Sequence, residues 1–177
     1  MSTMLPLDIA SLAFDPSTQQ PVLLLKLAGS PDPAERLVPI ALGRPEARAI
    51  ISAAHGITFS RPTTHDLLVS TMQAADLKLS RVEIGSFAHG TFLATLDFLR
   101  GTRHITVDAR PSDAIALALR TRAPLFIADN VYQETSVQTQ IASFDEEGNL
   151  GLAGSPKQLL DDFHEFIQHV EPDDFRK

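Results

Sequence analysis

The chain of 177 residues contains no cysteine. That excludes disulfides, zinc–thiolate centres and a thiol nucleophile, and it fits a reducing compartment. No run of about 18 or more apolar residues exists, as a membrane-spanning helix would need. The opening Met1–Pro6 lacks the basic segment and apolar core of a signal peptide. A cytoplasmic protein with no membrane partner is the expectation. Positive charge is also short: the net charge is −7, with 15 Lys and Arg against 22 Asp and Glu. Residues 145–177 hold nine of those acids against three bases, which leaves residues 1–144 at −1. A bulk electrostatic grip on nucleic acid is therefore excluded, and any phosphate has to be met by local groups. The strings HExxH, GxGxxG, GxSxG and Walker-type loops are missing, which removes support from zincin, dinucleotide-binding, hydrolase-elbow and P-loop readings.

What is present suffices for a core. Hydrophobic residues make up 44% of the chain, and the length suits one domain. Residues 4–14, 21–28 and 36–42 read as a first antiparallel meander, with Pro39 confined to an edge or bulge because it cannot donate to a ladder. A helix spans 44–56, with Pro45 and Glu46 in its first turn and Gly56 as its stop. A second helix covers roughly 64–75. Residues 77–87 and 91–100 flank the hairpin signal Ala88-His89-Gly90, and His104–Val107 completes a second meander. The Ala- and Leu-rich helix running to Arg120 follows, then a short buried strand over 123–127. Residues 129–143 fit either a helix from Asn130 or an irregular wrap. The expected fold is α+β: a mixed, largely antiparallel sheet of two meanders packed with helices. Residues 1–143 form the domain, and 144–177 an acidic linker with an amphipathic C-terminal helix over 157–169.

Chemistry-bearing residues concentrate where helices start. Arg-Pro recurs at 44–45, 61–62 and 110–111. Hydroxyls and acids surround these pairs: Thr63, Thr64 and Asp66 in one, Ser112 and Asp113 in another. Helix initiation alone accounts for many of them, since each such cap contributes about 0.5–2 kcal/mol. Thr63-x-x-Asp66 approximates a capping box with Asp in place of Glu. Capping does not account for the arginines, His65 or Asp108. Arginine beside a helix N-terminus makes an anion receptor, so Arg61 and Arg110, with Thr64 and Ser112, are candidate phosphate-binding residues. Asp108, at a strand end, is a candidate Mg²⁺ or Mn²⁺ ligand together with Asp113, Glu46 or Asp66. His65 is a candidate proton carrier near neutral pH. The rival is an ion pair, Asp108–Arg110 or Asp113–Arg61, that fixes the junction. His55 reads as an exposed C-terminal cap; His89, His104, His164 and His169 carry no sign of metal spacing.

Four strings, in order, resemble the bifunctional nuclease domain family: Pro39–Gly43 with Glu46, Ala47, Ala49 and Ile50; Arg61–Leu68; Gly90–Ala94; and Val107–Ala118. The resemblance covers about residues 4–135. It implies an α+β fold, homo-oligomers (a dimer first) and nuclease activity on RNA and DNA. It supplies positions rather than a mechanism. The leading expectation is a phosphodiesterase assisted by a divalent metal, with His65, Asp66, Asp108 and Asp113 as catalytic candidates. The alternatives are a non-catalytic binding or regulatory module whose junctions are structural, and a binder of small anionic metabolites.

Overall fold

The computed structural model describes residues 3–14, 20–30 and 36–138. The expected linker, the C-terminal helix and the boundary at 143 lie outside the described residues.

The first strands are β1 (Met4–Phe14), β2 (Pro21–Leu27), an apolar run with Leu23, Leu24 and Leu25 all buried, and β3 (Arg36–Ala41), paired in antiparallel sequence. Pro39 pairs with Leu24 of β2. On its other side the two-residue β8 (Val137–Gln138) reaches only Arg36 and Leu37, so Pro39 sits beyond the ladder as its missing N–H requires. The second meander comprises β4 (Lys78–Ala88), β5 (Thr91–Arg100) and β6 (Arg103–Ala109). Its hairpin turns at His89 and Gly90, both at positive φ.

Between the meanders lies β7 (Leu125–Ala128), parallel to β4 and antiparallel to β1. The resulting eight-stranded order is β6-β5-β4-β7-β1-β2-β3-β8. The fold is α+β with a mixed, mostly antiparallel sheet. Four residues thus join two otherwise separate ribbons, with Leu125, Ile127 and Ala128 buried in the middle of the sheet.

Helix α3 (Pro111–Thr121) forms the centre of the helical layer, against α1 (Arg44–Ala54), α2 (Thr64–Ala74), β4 and β5. All of Ala114, Ile115, Ala116, Leu117 and Ala118 are buried. A helix apolar on every side is a core helix, and burial of Ile115 and Leu117 contributes about 1.5–3 kcal/mol each. The alanines keep α3 thin enough for neighbours on several faces. Helix α4 (Asp129–Thr135) resolves the ambiguous stretch: it follows β7 directly and buries Val131 and Tyr132 before β8. Among the described residues no helix is long and apolar enough to cross a membrane.

Candidate functional site

Each of the three large helices carries an acid at the third position of its first turn: Glu46 in α1, Asp66 in α2 and Asp113 in α3. There a carboxylate faces the unsatisfied N–H groups and the positive end of the helix dipole. The three arginines of the Arg-Pro pairs fall out of phase with these starts. Arg44 is already inside α1, Arg110 is the N-cap of α3, and Arg61 precedes the α2 N-cap by two residues. Of the three, Arg110 alone lines the cleft at the start of α3.

Arg110 is the hub of the first network. Its Nε donates to Asp113 Oδ2 at 2.7 Å and its Nη2 to Oδ1 at 3.2 Å. Its Nη1 reaches Glu46 Oε1 at 3.1 Å. The Asp113 carboxylate also receives Nε2 of His65 at 3.1 Å, so α1, α2 and α3 meet through one chain of charge. Burial pushes the Asp113 carboxyl up, but hydrogen bonds from Arg110 and His65 outweigh it and leave the group below the ordinary carboxylate range. The same contact with Asp113 raises Arg110. An ionised Asp113 can only accept, so the His65 proton must sit on Nε2, which leaves Nδ1 as the second face of the ring. The His65 side chain is only 14% exposed, whereas that of Arg110 is 65% exposed.

The second network is closed. Asp66 Oδ2 accepts from the Thr63 backbone N–H at 2.9 Å and from its hydroxyl at 2.6 Å, a capping box with Asp in the Glu position. Its other oxygen takes Arg120 Nε at 2.7 Å. The Arg120 Nη1 donates to the carbonyls of Ala49 and Ala116, and Nη2 lies 3.4 Å from Ser52 Oγ. Hydrogen bonds from Thr63 and Arg120 hold the Asp66 carboxyl at about 2. Both carboxylate oxygens are thus engaged by groups of the fold.

A cleft of about 300 Å³ opens beside Arg110. The β3 exit (residues 40–43) and Glu46 form one wall, the β5 entry (91–93) a second, and the β6–α3 junction (108–112) a third. A Cβ at position 43 would overlap Glu46 Oε2, so glycine there leaves the Glu46 carboxylate its place in the first wall. Asp108 lines the cleft, and its side chain forms no hydrogen bond or ion pair with any described residue. It pairs with Thr95 across the β5–β6 ladder, and alternation turns it away from the core-packed Ala109. It therefore occupies the rim.

The expected site residues separate accordingly. Glu46, His65, Arg110 and Asp113 join one network, with Ser112 and Asp108 at the adjoining cleft. Asp66 belongs to the second network; Arg61 and the exposed Thr64 do not line the cleft. Neither expected ion pair forms: Asp113 pairs with Arg110 rather than Arg61, and Asp108 pairs with neither. Among the described residues no group of three or more His, Asp or Glu side chains is placed to hold a metal ion. Glu46 and Asp113 are bridged by the guanidinium of Arg110, so the set does not fit an Mg²⁺ or Mn²⁺ triad as arranged. Sequence reasoning missed Arg120, Gly43, Thr91 and Phe92. The last three lie in the strings that carry the family resemblance; Arg120 is a charge that follows the apolar run Ala114–Leu119.

Comparison with known proteins adds the relationship. The chain is 34% identical over 168 residues to an uncharacterized protein of Mycobacterium tuberculosis, found in two strains, covering 95% of this chain and 96% of the relative. It is 27% identical over 112 residues to bifunctional nuclease 2 of rice, Oryza sativa subsp. japonica, covering 62% of this chain and 34% of the rice protein. The bifunctional nuclease domain matches residues 24–140, which takes in all three walls of the cleft and both ion-pair networks, and the chain belongs to that family.

Proposed function

We propose that the chain is a nuclease that hydrolyses phosphodiester bonds of RNA or DNA at the cleft beside Arg110. The observation that carries this reading is convergence. Three of the four strings that resemble the family, dispersed between residues 39 and 118, supply the three walls of one cleft. The fourth string supplies His65, which holds Asp113 from behind. The name of the rice relative contributes the reaction class.

In this reading Arg110 holds a non-bridging phosphate oxygen. Asp113 accepts two of its N–H donors and so fixes the plane of the guanidinium before substrate arrives. His65 acts through Asp113 as a positioning residue. Asp108, at the rim with no side-chain partner among the described residues, accepts the proton of the attacking water. The sequence-based expectation of Mg²⁺ or Mn²⁺ enters as an arm of the assay. A dimer and a cytoplasmic setting belong to the same reading, the first checked by analytical ultracentrifugation.

The test is cleavage of labelled single-stranded RNA and DNA by the purified chain, in EDTA and in each divalent ion. Arg110→Ala is expected to lower turnover by about 100-fold, the scale of a lost charge-stabilising donor, and Asp108→Ala by a comparable factor. No cleavage of either polymer under any condition would sink the nuclease reading. Full activity in Asp108→Ala would remove that residue from it.

A further inference from the structure

We infer that the cleft takes one unstacked nucleotide unit of a single strand, its phosphate at Arg110 and Ser112 and its base against Phe92, so that the polymer recognised is single-stranded rather than duplex. The inference relies on the nuclease reading only for the reaction; the binding claim stands on the cleft itself.

The lining has two chemical ends. At the polar end the exposed Arg110 caps α3. Ser112, nine-tenths buried, lines the cleft with a hydroxyl that has no hydrogen-bond partner among the described residues. Among the described residues the buried side-chain atom without a partner is Ser136 Oγ, so the Ser112 hydroxyl keeps accessible surface and is open to a ligand in the cleft. The first-turn N–H groups of Ser112 and Asp113 lack intrahelical acceptors and lie at the same end. At the other end Phe92, on the core side of β5 with Ala94, packs tilted on Phe87 with ring centroids 4.7 Å apart. Phe92 is partly buried, packed against the core, and lines the cleft.

Charge decides what such a lining can hold. Glu46 and Asp108 line the same cleft as Arg110, and residues 1–144 together carry −1. An anion held by phosphate contacts alone would find little net attraction here. A base on an aromatic ring supplies affinity that does not depend on charge and accepts any base. In a duplex the bases are stacked and paired, so none reaches Phe92. The volume, about 300 Å³, gives room for one nucleotide-sized unit and lies at the small end of ligand sites.

The experiment measures binding, independent of cleavage. Fluorescence anisotropy of the full chain is recorded with a phosphorothioate DNA strand, the same strand as a duplex, and a fully abasic strand of equal length. Inorganic phosphate serves as competitor. The single strand is expected to bind about tenfold or more tighter than either the duplex or the abasic strand, as loss of one base–aromatic stack predicts. Phosphate alone should compete only weakly. Phe92→Ala should abolish the gap between base-bearing and abasic strands, and Phe92→Tyr should keep it. Because the abasic comparison uses the unaltered chain, a Phe92 variant that fails to fold leaves the test intact. Equal binding of the abasic strand, equal binding of the duplex, or displacement by phosphate as effective as by the strand would each overturn the inference. Single-strand binding without cleavage would refute the nuclease reading and uphold this one; cleavage without strand preference would do the reverse.

Discussion

Helix α2 opens on Thr63 and carries Asp66 at its third position; helix α3 opens on Arg110 and carries Asp113 there. The first acid is held by its own cap and by the largely buried Arg120, and every donor it meets belongs to the fold. The second is held by an arginine whose side chain is mostly exposed at a cleft. The helices behind these starts differ in the opposite sense. Only Met72 of α2 is buried, and Leu67 and Leu68 are exposed, while α3 is the core of the molecule. The poorly packed helix has the strongly closed start, and the well-packed helix has the open one. Packing already fixes α3, so its first turn can hold groups for a ligand; α2 lacks that packing and depends on its cap and on Arg120.

Removing Arg120 is the most severe way to break this contrast. Arg120→Ala takes one donor each from the Asp66 carboxylate, the Ala49 and Ala116 carbonyls and Ser52 Oγ, at a site where the arginine side chain is 10% exposed. Thr63 still donates to Asp66, and Ser52 to Ala49. Breaking a buried pair costs about 3–5 kcal/mol. Asp66 can regain water, so a loss of about 2–3 kcal/mol is expected in urea denaturation. Arg110→Ala, by contrast, should cost at most about 1 kcal/mol, as exposed pairs do. Equal losses in the two variants would mean that both networks serve the fold alone.

The pH dependence gives a smaller and more specific test. The Asp66 carboxyl lies at about 2 in the folded chain against an ordinary 3.8. Its contribution is therefore complete above about pH 4 and is lost as pH falls towards 2. A shift of that size corresponds to about 2.5 kcal/mol before screening. With the side chain 37% exposed, about 1 kcal/mol is the expected share. Asp113, also lowered, acts with the same sign below the ordinary carboxylate range. In Asp66→Asn the slope of stability between pH 4 and 2 should flatten. An unchanged slope would assign the acid sensitivity to other carboxylates.

The contrast also shows what the sequence can and cannot convey. Strand and helix positions are legible because period-2 and period-3.6 patterns are punctuated by Gly56, Gly90, Gly101 and the Arg-Pro pairs. The capping box at Thr63 is legible for the same reason, being local. The insertion of β7 between the meanders is not, because a short buried strand carries no sign of which edges it will join. At the site, the residue types at Arg110 and Asp113 could be read, but their partners could not. His65 and Asp113 are 48 residues apart, and Arg120 and Asp66 are 54 apart. Only the packing of α1 and α2 on α3 sets those distances. Phe92 and Gly43 were visible as parts of resembling strings, yet nothing local marks an aromatic or a glycine as the wall of a cleft.

Gly43 permits the finest discrimination between an open and a closed start. Its φ is −75°, an ordinary extended conformation, so alanine fits the backbone without strain. The added Cβ would instead meet Oε2 of Glu46, the movable end of a side chain. The expected consequence of Gly43→Ala is a displaced Glu46 with little loss of stability, about 0.5–1 kcal/mol. Asp113 would still hold Arg110 through Nε and Nη2. The Nη1 donor released from Glu46 would be free for phosphate, and one carboxylate would have left the cleft. Single-strand binding should therefore tighten about threefold, the value of one modest hydrogen bond, and Glu46→Gln should reproduce part of the gain. Weaker binding in both variants would mean that Glu46 aims the guanidinium rather than restrains it, and the α3 start would then need both of its carboxylates to present Arg110 to a ligand.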